Sequence, residues 1–373
     1  MTFNSFRFLD NVKINAIVQT LADSLEKEDK LLFLNRTEVV NADDEEIITG
    51  KWKSADYAAD IIPDNQEAPT YEAGSMQFTT NVIPKIKIGK MVPESIIKRV
   101  TSLSRNLATP TDEQFFTNWE YEFGESLVRG IRKRVNDMIC AMQRDSFTYD
   151  RFGVKLTNQT WGMPSDLKVT AGVDWSDAVN STPITDLQTI AVDTAPDAYG
   201  EQFNRVTMSS RAFKYITLSN EFQNRIKGEL RYNFGAGQIN TKDTGAMRQL
   251  LANIINMEVE IYDETYWTKS SNGTKVRQRV LPYNQVIFSN TSDDNNRDAM
   301  YFANGVVTES IVGTLYGYDG FDGAAFGPIT YYEPGKNLNP PNVEAFSVLR
   351  GYPIKVRETC TAVLTVGSGN NWV

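Results

Sequence analysis

Apolar residues recur at intervals of three and four through Phe116, Trp119, Phe123, Leu127, Ile131, Val135, Met138 and Met142. That spacing puts them on one stripe of a single helix. Pro110 and the Thr111/Gln114 pair supply a start signal, the hydroxyl-then-amide spacing of a capping box. Asp112, Glu113, Glu120, Glu122 and Glu125 fill the first half; Arg129, Arg132, Lys133, Arg134 and Arg144 fill the second. This order suits the helix dipole, and the basic half reads as a solvated face. A helix is expected over about 111–145; its Thr111 to Met142 stretch spans roughly 45–50 Å at 1.5 Å per residue. Gly124 and Gly130 each cost about 1 kcal/mol against alanine and mark close packing or a bend.

Upstream the period falls to two. Residues 36–92 read as an outgoing limb, "TEVVNADDEEIITGKWK", a polar tip, and a returning limb, "MQFTTNVIPKIKIGKMV". Phe78, Val82, Ile86 and Ile88 share even spacing and so one face of that limb. A two-stranded hairpin is marginal in water by itself. The expectation is that it lies on a neighbouring subunit through that face. Residues 1–35 read as an arm, with a helical stretch around Val12–Leu21 too poor in apolar surface to stand alone.

Downstream, short strands and helices intersperse. Strands are expected at "FGVKLTNQT", "SDLKVTAG", 204–208, "MEVEIYDETYW" and "YNQVIFSN", and in the closing "VEAFSVLRGYPIKVRETCTAVLTV". Helices are expected at "TPITDLQTIAVDTA", with Pro183 in its first turn, from about Ser209 and Ser219, and at "TGAMRQLLANIIN". Asn272-Gly273 is a hairpin-turn signal. The class is α+β.

Composition adds limits. The chain has 373 residues, 41% hydrophobic and 23% charged, enough for one large core or two to three subdomains. No apolar run nears the ~20 residues that span a bilayer. The N-terminal residues lack a basic-then-apolar leader, so cytoplasmic synthesis is expected. The net charge of −9 argues against a phosphate grip and suits a chain that lies beside DNA without adhering to it. With no histidine, the commonest general base is missing. Cys140 and Cys360 lie far apart and read as buried, inert thiols.

Candidate chemistry is thin. Asp43, Asp44, Glu45 and Glu46 form an acidic run, read as a solvated face. Asp294, Asn296 and Asp298 alternate like the first half of a calcium loop, but Ala299 replaces its glycine and Gly305 its final glutamate. The Gly-rich 316–328 matches no phosphate-cradling pattern. No catalytic, cofactor-binding or metal residue is assigned. A soluble hydrolase or carbohydrate-binding protein is the reading from a different class.

Several segments resemble the lambda-type (major capsid protein E) family of tailed-bacteriophage major capsid proteins. "FTTNVIPKIKIGKMV" is similar to that family's post-hairpin segment. "DWSDAVNSTPITDL" resembles its W-S…D-P-x-x-D-I segment through Trp175, Pro183 and Asp186. "RVTMSSRAFKYI" resembles the following strand-to-helix step. "LPYNQVIFSN" resembles L-P-x-N-x-x-x-L-G-N through Asn284 and Asn290, with Ser289 in place of the glycine. "LRGYPIKVRE" resembles the closing strand, whereas residues 313–342 match nothing clearly.

The resemblance implies the phage major capsid (Johnson) fold. Its parts would be an N-terminal arm (1–35), an E-loop hairpin (36–92) and a P-domain on the spine helix (93–165). A mostly A-domain stretch (166–290) and returning segments (291–373) would complete it. It further implies a shell of pentamers and hexamers around double-stranded DNA, assembled in the host cytoplasm without enzymatic activity. Expected partners are a separate scaffolding protein, a decoration protein, the portal and DNA bound without specificity. An encapsulin-like compartment is the alternative within the same fold. Lys51 and Lys53 stand where covalent cross-linking occurs in some relatives; a decoration protein is the expected substitute.

Overall fold

The computed structural model describes residues 31–42, 46–53, 75–92, 95, 110–151, 154–233, 244–269, 274–290, 300–307, 329–334, 343–355 and 357–372. Most of the arm, the hairpin tip, Asp43–Glu45, the calcium-like loop and the Gly-rich loop lie outside them.

In chain order, α1 (Leu32–Asn35) leads into β1 (Glu38–Ala42), β2 (Glu46–Lys53), β3 (Ser75–Val82) and β4 (Lys85–Val92). The long helix α2 (Pro110–Gln143) follows, then β5 (Phe147–Arg151), β6 (Val154–Gln159) and β7 (Lys168–Thr170). Next come α3 (Pro183–Gln188), α4 (Ala195–Tyr199), β8 (Arg205–Met208), α5 (Ser210–Leu218), α6 (Asn220–Asn233) and α7 (Thr244–Ile255). The chain closes with β9 (Glu258–Ile261), β10 (Thr265–Lys269), β11 (Lys275–Arg279), β12 (Gln285–Ser289), β13 (Met300–Gly305), β14 (Ile329–Pro334), β15 (Val343–Lys355) and β16 (Thr361–Thr365).

Two sheets carry the molecule. One runs β7-β16-β12-β8-β9, with β8 and β9 parallel across a crossover that contains α5, α6 and α7. The other runs β1-β13-β15-β14, with β4 also on β15. β15 is the common template of this second sheet. Val343–Val348 pairs with β14, Val343–Arg350 with β4, and Arg350–Lys355 with β13.

β12 divides two hydrophobic cores. Val286 and Phe288 point into a cluster built from Trp175, Leu187, Phe222, Leu251 and Leu364. Ile287, between them, points into a cluster on α2 with Ile131, Ile139, Phe302 and Phe33. All three are fully buried. A strand covered on both faces reads as an unbroken apolar run, as "VIF" (286–288) does.

Helix α2 stops on backbone geometry that carries no glycine signal. Asp145 has φ 55°, the left-handed position that ends many helices. Its N–H donates to Met142 O at 2.9 Å and that of Ser146 donates to Ala141 O at 3.0 Å, the paired bonds of a Schellman cap. The buried Asp145 carboxylate pairs with Lys168 Nζ at 2.7 Å and accepts the Trp161 N–H. The cap thus also fastens the segment entering β7.

Several expectations change here. The last residues of the expected arm pack on the chain itself: Phe33 is buried, and Leu34 N–H donates to Asn136 Oδ1 at 3.0 Å. The single strand expected at "MEVEIYDETYW" is two, because Asp263 turns out of the sheet to accept from Ser210 N–H and Arg279. β5, β13 and β14 were not expected from the pattern. The basic half of α2 is partly buried, and Arg134 and Arg144 are engaged by Asp137 and Gln285.

The C-terminal turn is pinned by Asp174. Its carboxylate accepts from Trp372 Nε1 at 3.0 Å and from the N–H groups of Ser176 at 2.8 Å and Ser368 at 3.0 Å. Burial pushes this carboxyl up, but the hydrogen bonds together outweigh it and hold the group below its ordinary range. A carboxyl held low in the folded state stabilises the fold above the ordinary carboxylate pKa, and that contribution is lost as pH falls. Thermal melts between about pH 5 and pH 3 should therefore fall less steeply for Asp174→Asn than for the unmodified chain. An equal slope would remove Asp174 from the acid response.

Candidate assembly surfaces

Along α2, Leu127, Ile131, Val135, Met138 and Met142 are each 0–4% exposed. Phe116, Trp119 and Phe123 lie within the helix, but their side chains lie outside the described residues. Gly130 lets β4 approach, since a Cβ there would sit 2.5 Å from Ile88 Cδ1. Lys90 Nζ donates to Ser126 Oγ, a second tie between β4 and the helix.

This geometry corrects the expected inter-subunit face. Ile86 and Ile88 belong to β4, which pairs over its full length with β15 of the same chain. Both side chains pack against the α2 core. Phe78 and Val82 belong to β3, whose partner is β2, from Glu46↔Val82 to Lys53↔Ser75. Asn81–Lys85 crosses Pro84, which separates the two strands. Even spacing therefore continued in sequence across two strands that lie in different sheets. β1 likewise leaves the hairpin and pairs parallel with β13. The ribbon that remains is β2–β3, a separate two-stranded sheet; its side chains lie outside the described residues.

A second ribbon, β10–β11, is also its own two-stranded sheet. It flanks the Asn272-Gly273 signal, which itself lies outside the described residues. Its root is held by a buried polar cluster on α2. Tyr266 Oη donates to Asp137 Oδ2 at 2.7 Å, and Arg134 Nη1 donates to the same oxygen at 2.8 Å. The Arg134 guanidinium lies 5.1 Å from the Tyr266 ring centre and 5.5 Å from that of Tyr149. Burial pushes the Asp137 carboxyl up, and Arg134 pulls it back.

Segments singled out by resemblance acquire physical roles. Trp175 is fully buried, and its Nε1 donates to Asp186 Oδ2 at 2.8 Å. Pro183 opens α3, the helix that carries Asp186 in its first turn. Asn284 Nδ2 donates to Gly367 O at 2.9 Å, and Asn284 O accepts from Val366 N–H at 2.9 Å.

Chemical groups are otherwise withdrawn. Both cysteines are buried; burial pushes the Cys140 thiol up to about 12 and raises Cys360 as well. Among the described residues, no group of three or more His, Cys, Asp or Glu side chains is placed to hold a metal ion. Among them too, no helix is long and apolar enough to cross a membrane.

A candidate capsid protein of a prophage from E. coli CFT073 matches over 96% of this chain and 99% of its own, with a TM-score of 0.59 at 14% identity. This chain has the phage capsid fold. A phage-related protein from Bordetella bronchiseptica RB50 shares that fold, with a TM-score of 0.53 at 11% identity over 94% of this chain and 96% of its own. No family model matches the chain, and no curated protein does. In this capsid fold, the long helix is backed by the β15 sheet while the two ribbons stand as separate sheets.

Proposed function

We propose that the chain is a major capsid protein that assembles into the icosahedral shell enclosing a phage's double-stranded DNA. The observation that carries this is the capsid fold itself, matched nearly end to end in both chains. The long α2 backed by a sheet supports the reading, because a thin shell subunit needs a stiff axis. Residues 1–35 are the arm, 93–165 the P-domain, 166–290 mostly the A-domain and 291–373 the returning segments. In this reading the reaching part of the E-loop of 36–92 is the β2–β3 ribbon, because β1 and β4 pair with β13 and β15 of the same chain. Heterologous contacts between copies close into pentamers and hexamers. A contact of standard size buries roughly 1,600 Å² in total. The role is structural rather than enzymatic. A separate scaffolding protein, a decoration protein and the portal are the partners, the packaged DNA is held without specificity, and the product is a virion shell assembled in the host cytoplasm.

Sedimentation and negative-stain microscopy of the full chain, expressed alone and together with a candidate scaffolding protein, test this. Closed particles of uniform size are expected. A folded chain that remains a small monodisperse species in both conditions would overturn it.

A further inference from the structure

We propose that the β10–β11 ribbon is a charge-directed docking element that seats on an acidic surface of a second copy of this chain. The inference rests on the capsid reading and adds a specific contact to it.

The register defines the surface. Thr265 faces Arg279, Trp267 faces Arg277 and Lys269 faces Lys275 across the ribbon. Directly opposed residues share a face, as do positions two apart. One face therefore gathers Trp267, Lys269, Lys275, Arg277 and Arg279. Arg279 is committed at the root, to Asp263 and to the Tyr283 ring 3.7 Å away. Lys269, Lys275 and Arg277 are exposed, and Trp267 is 70% exposed, the most exposed large apolar side chain described. On the opposite face Val276 is 44% exposed. Beyond the root, the β11 residues on both faces, Lys275–Gln278, are exposed.

Three physical points choose the occupant. A bare two-stranded ribbon is marginal in water, so one held out from the body gains from a second surface. Like charges directly opposed, as in Lys269 and Lys275, weaken a strand pair unless an anion lies over them. Finally, residues 265–279 hold four cations and no anion in a chain of net charge −9, so the rest of the chain stands at −13. Every other copy thus carries an excess of negative charge outside this ribbon. Exposed tryptophan and arginine at the centre of such a patch are the residue types that carry binding energy at protein interfaces. Phosphate would meet the cations but leave the Trp267 ring on the same face without an apolar partner, which favours protein over DNA.

The test compares the unmodified full chain with Trp267→Ala and with Lys269→Glu/Lys275→Glu/Arg277→Glu. Trp267 of the unmodified chain should be protected about tenfold from hydroxyl-radical oxidation in particles relative to dispersed subunits. Both variants should keep the melting transition and lose about tenfold of the sedimenting fraction. Variants that assemble normally, with Trp267 equally oxidised in both states, overturn the proposal. So does normal assembly combined with lost retardation of linear double-stranded DNA, which would give the face to phosphate. Should a variant fail to melt cooperatively, the oxidation of unmodified Trp267 decides alone. Failure of the unmodified chain to assemble overturns the capsid reading first and is distinct from every variant result.

Discussion

Trp175→Ala is expected to lower the stability of the fold by about 3–5 kcal/mol, the range for deleting a fully buried large aromatic. That is a large share of the ~5–15 kcal/mol that holds a domain together. The indole is 0% exposed and lies among Leu167, Ile184, Leu187 and Val366. Its backbone N–H donates to Val366 O at 3.0 Å, and its ring N–H donates to Asp186 at 2.8 Å. Truncation opens a cavity and removes a donor from a half-buried carboxyl at the same time. Trp175→Phe keeps most of the packing and loses only the hydrogen bond, about 1–2 kcal/mol. Urea melts of the two variants should therefore fall in that order. A midpoint for Trp175→Ala no lower than that of a surface substitution would contradict the packing described.

Asp137→Ala should cost a similar amount, about 3–5 kcal/mol, for a different reason. It strands the Arg134 guanidinium, which is largely buried against α2 and the ribbon root, without its counter-charge. It also removes the acceptor of Tyr266 Oη. Replacing both partners by apolar residues, as in Arg134→Met/Asp137→Leu, should recover most of the loss, because a buried pair contributes little net stability over packed hydrophobes. Chemical denaturation of the single and double variants closes the cycle. A double variant as unstable as the single one would show that Arg134 is not the stranded group.

The legibility of this chain tracks the range of its contacts. α2 could be read because its period is local, and its bounds of Pro110–Gln143 sit within two residues of expectation; Pro110 opens it, so Thr111 lies inside the helix rather than capping it. Its end could not be read from residue type, because Asp145 occupies the left-handed position that glycine more often fills. Over 36–92 the two-residue period was visible, but the pairing partner was not. Nothing near Ile86 and Ile88 announces that their partners are Leu349 and Ser347. β13, "MYFANG", ends in Ala303, Asn304 and Gly305, residues with little strand preference, and tertiary pairing imposes its form. Trp175 and Asp186 were visible only as matched letters; the hydrogen bond between them is the physical reason for their spacing. The ribbon at Asn272-Gly273 was legible, but its charged face was not, because only the register says which side chains share a side.

The late position of β15 sets an order of events on the ribosome. β4 waits for a template that begins roughly 250 residues after β4 ends, a delay of about 12–50 s at ordinary rates of synthesis. β1 waits slightly longer for its own partner, β13, than β4 waits for β15. Until residue 355 emerges, the nascent chain holds an open half-sheet beside a finished helix, and non-local pairing of this kind closes slowly. The sheet that backs α2 is therefore closed only after both ribbons have been made, which places its closure late among the folding steps.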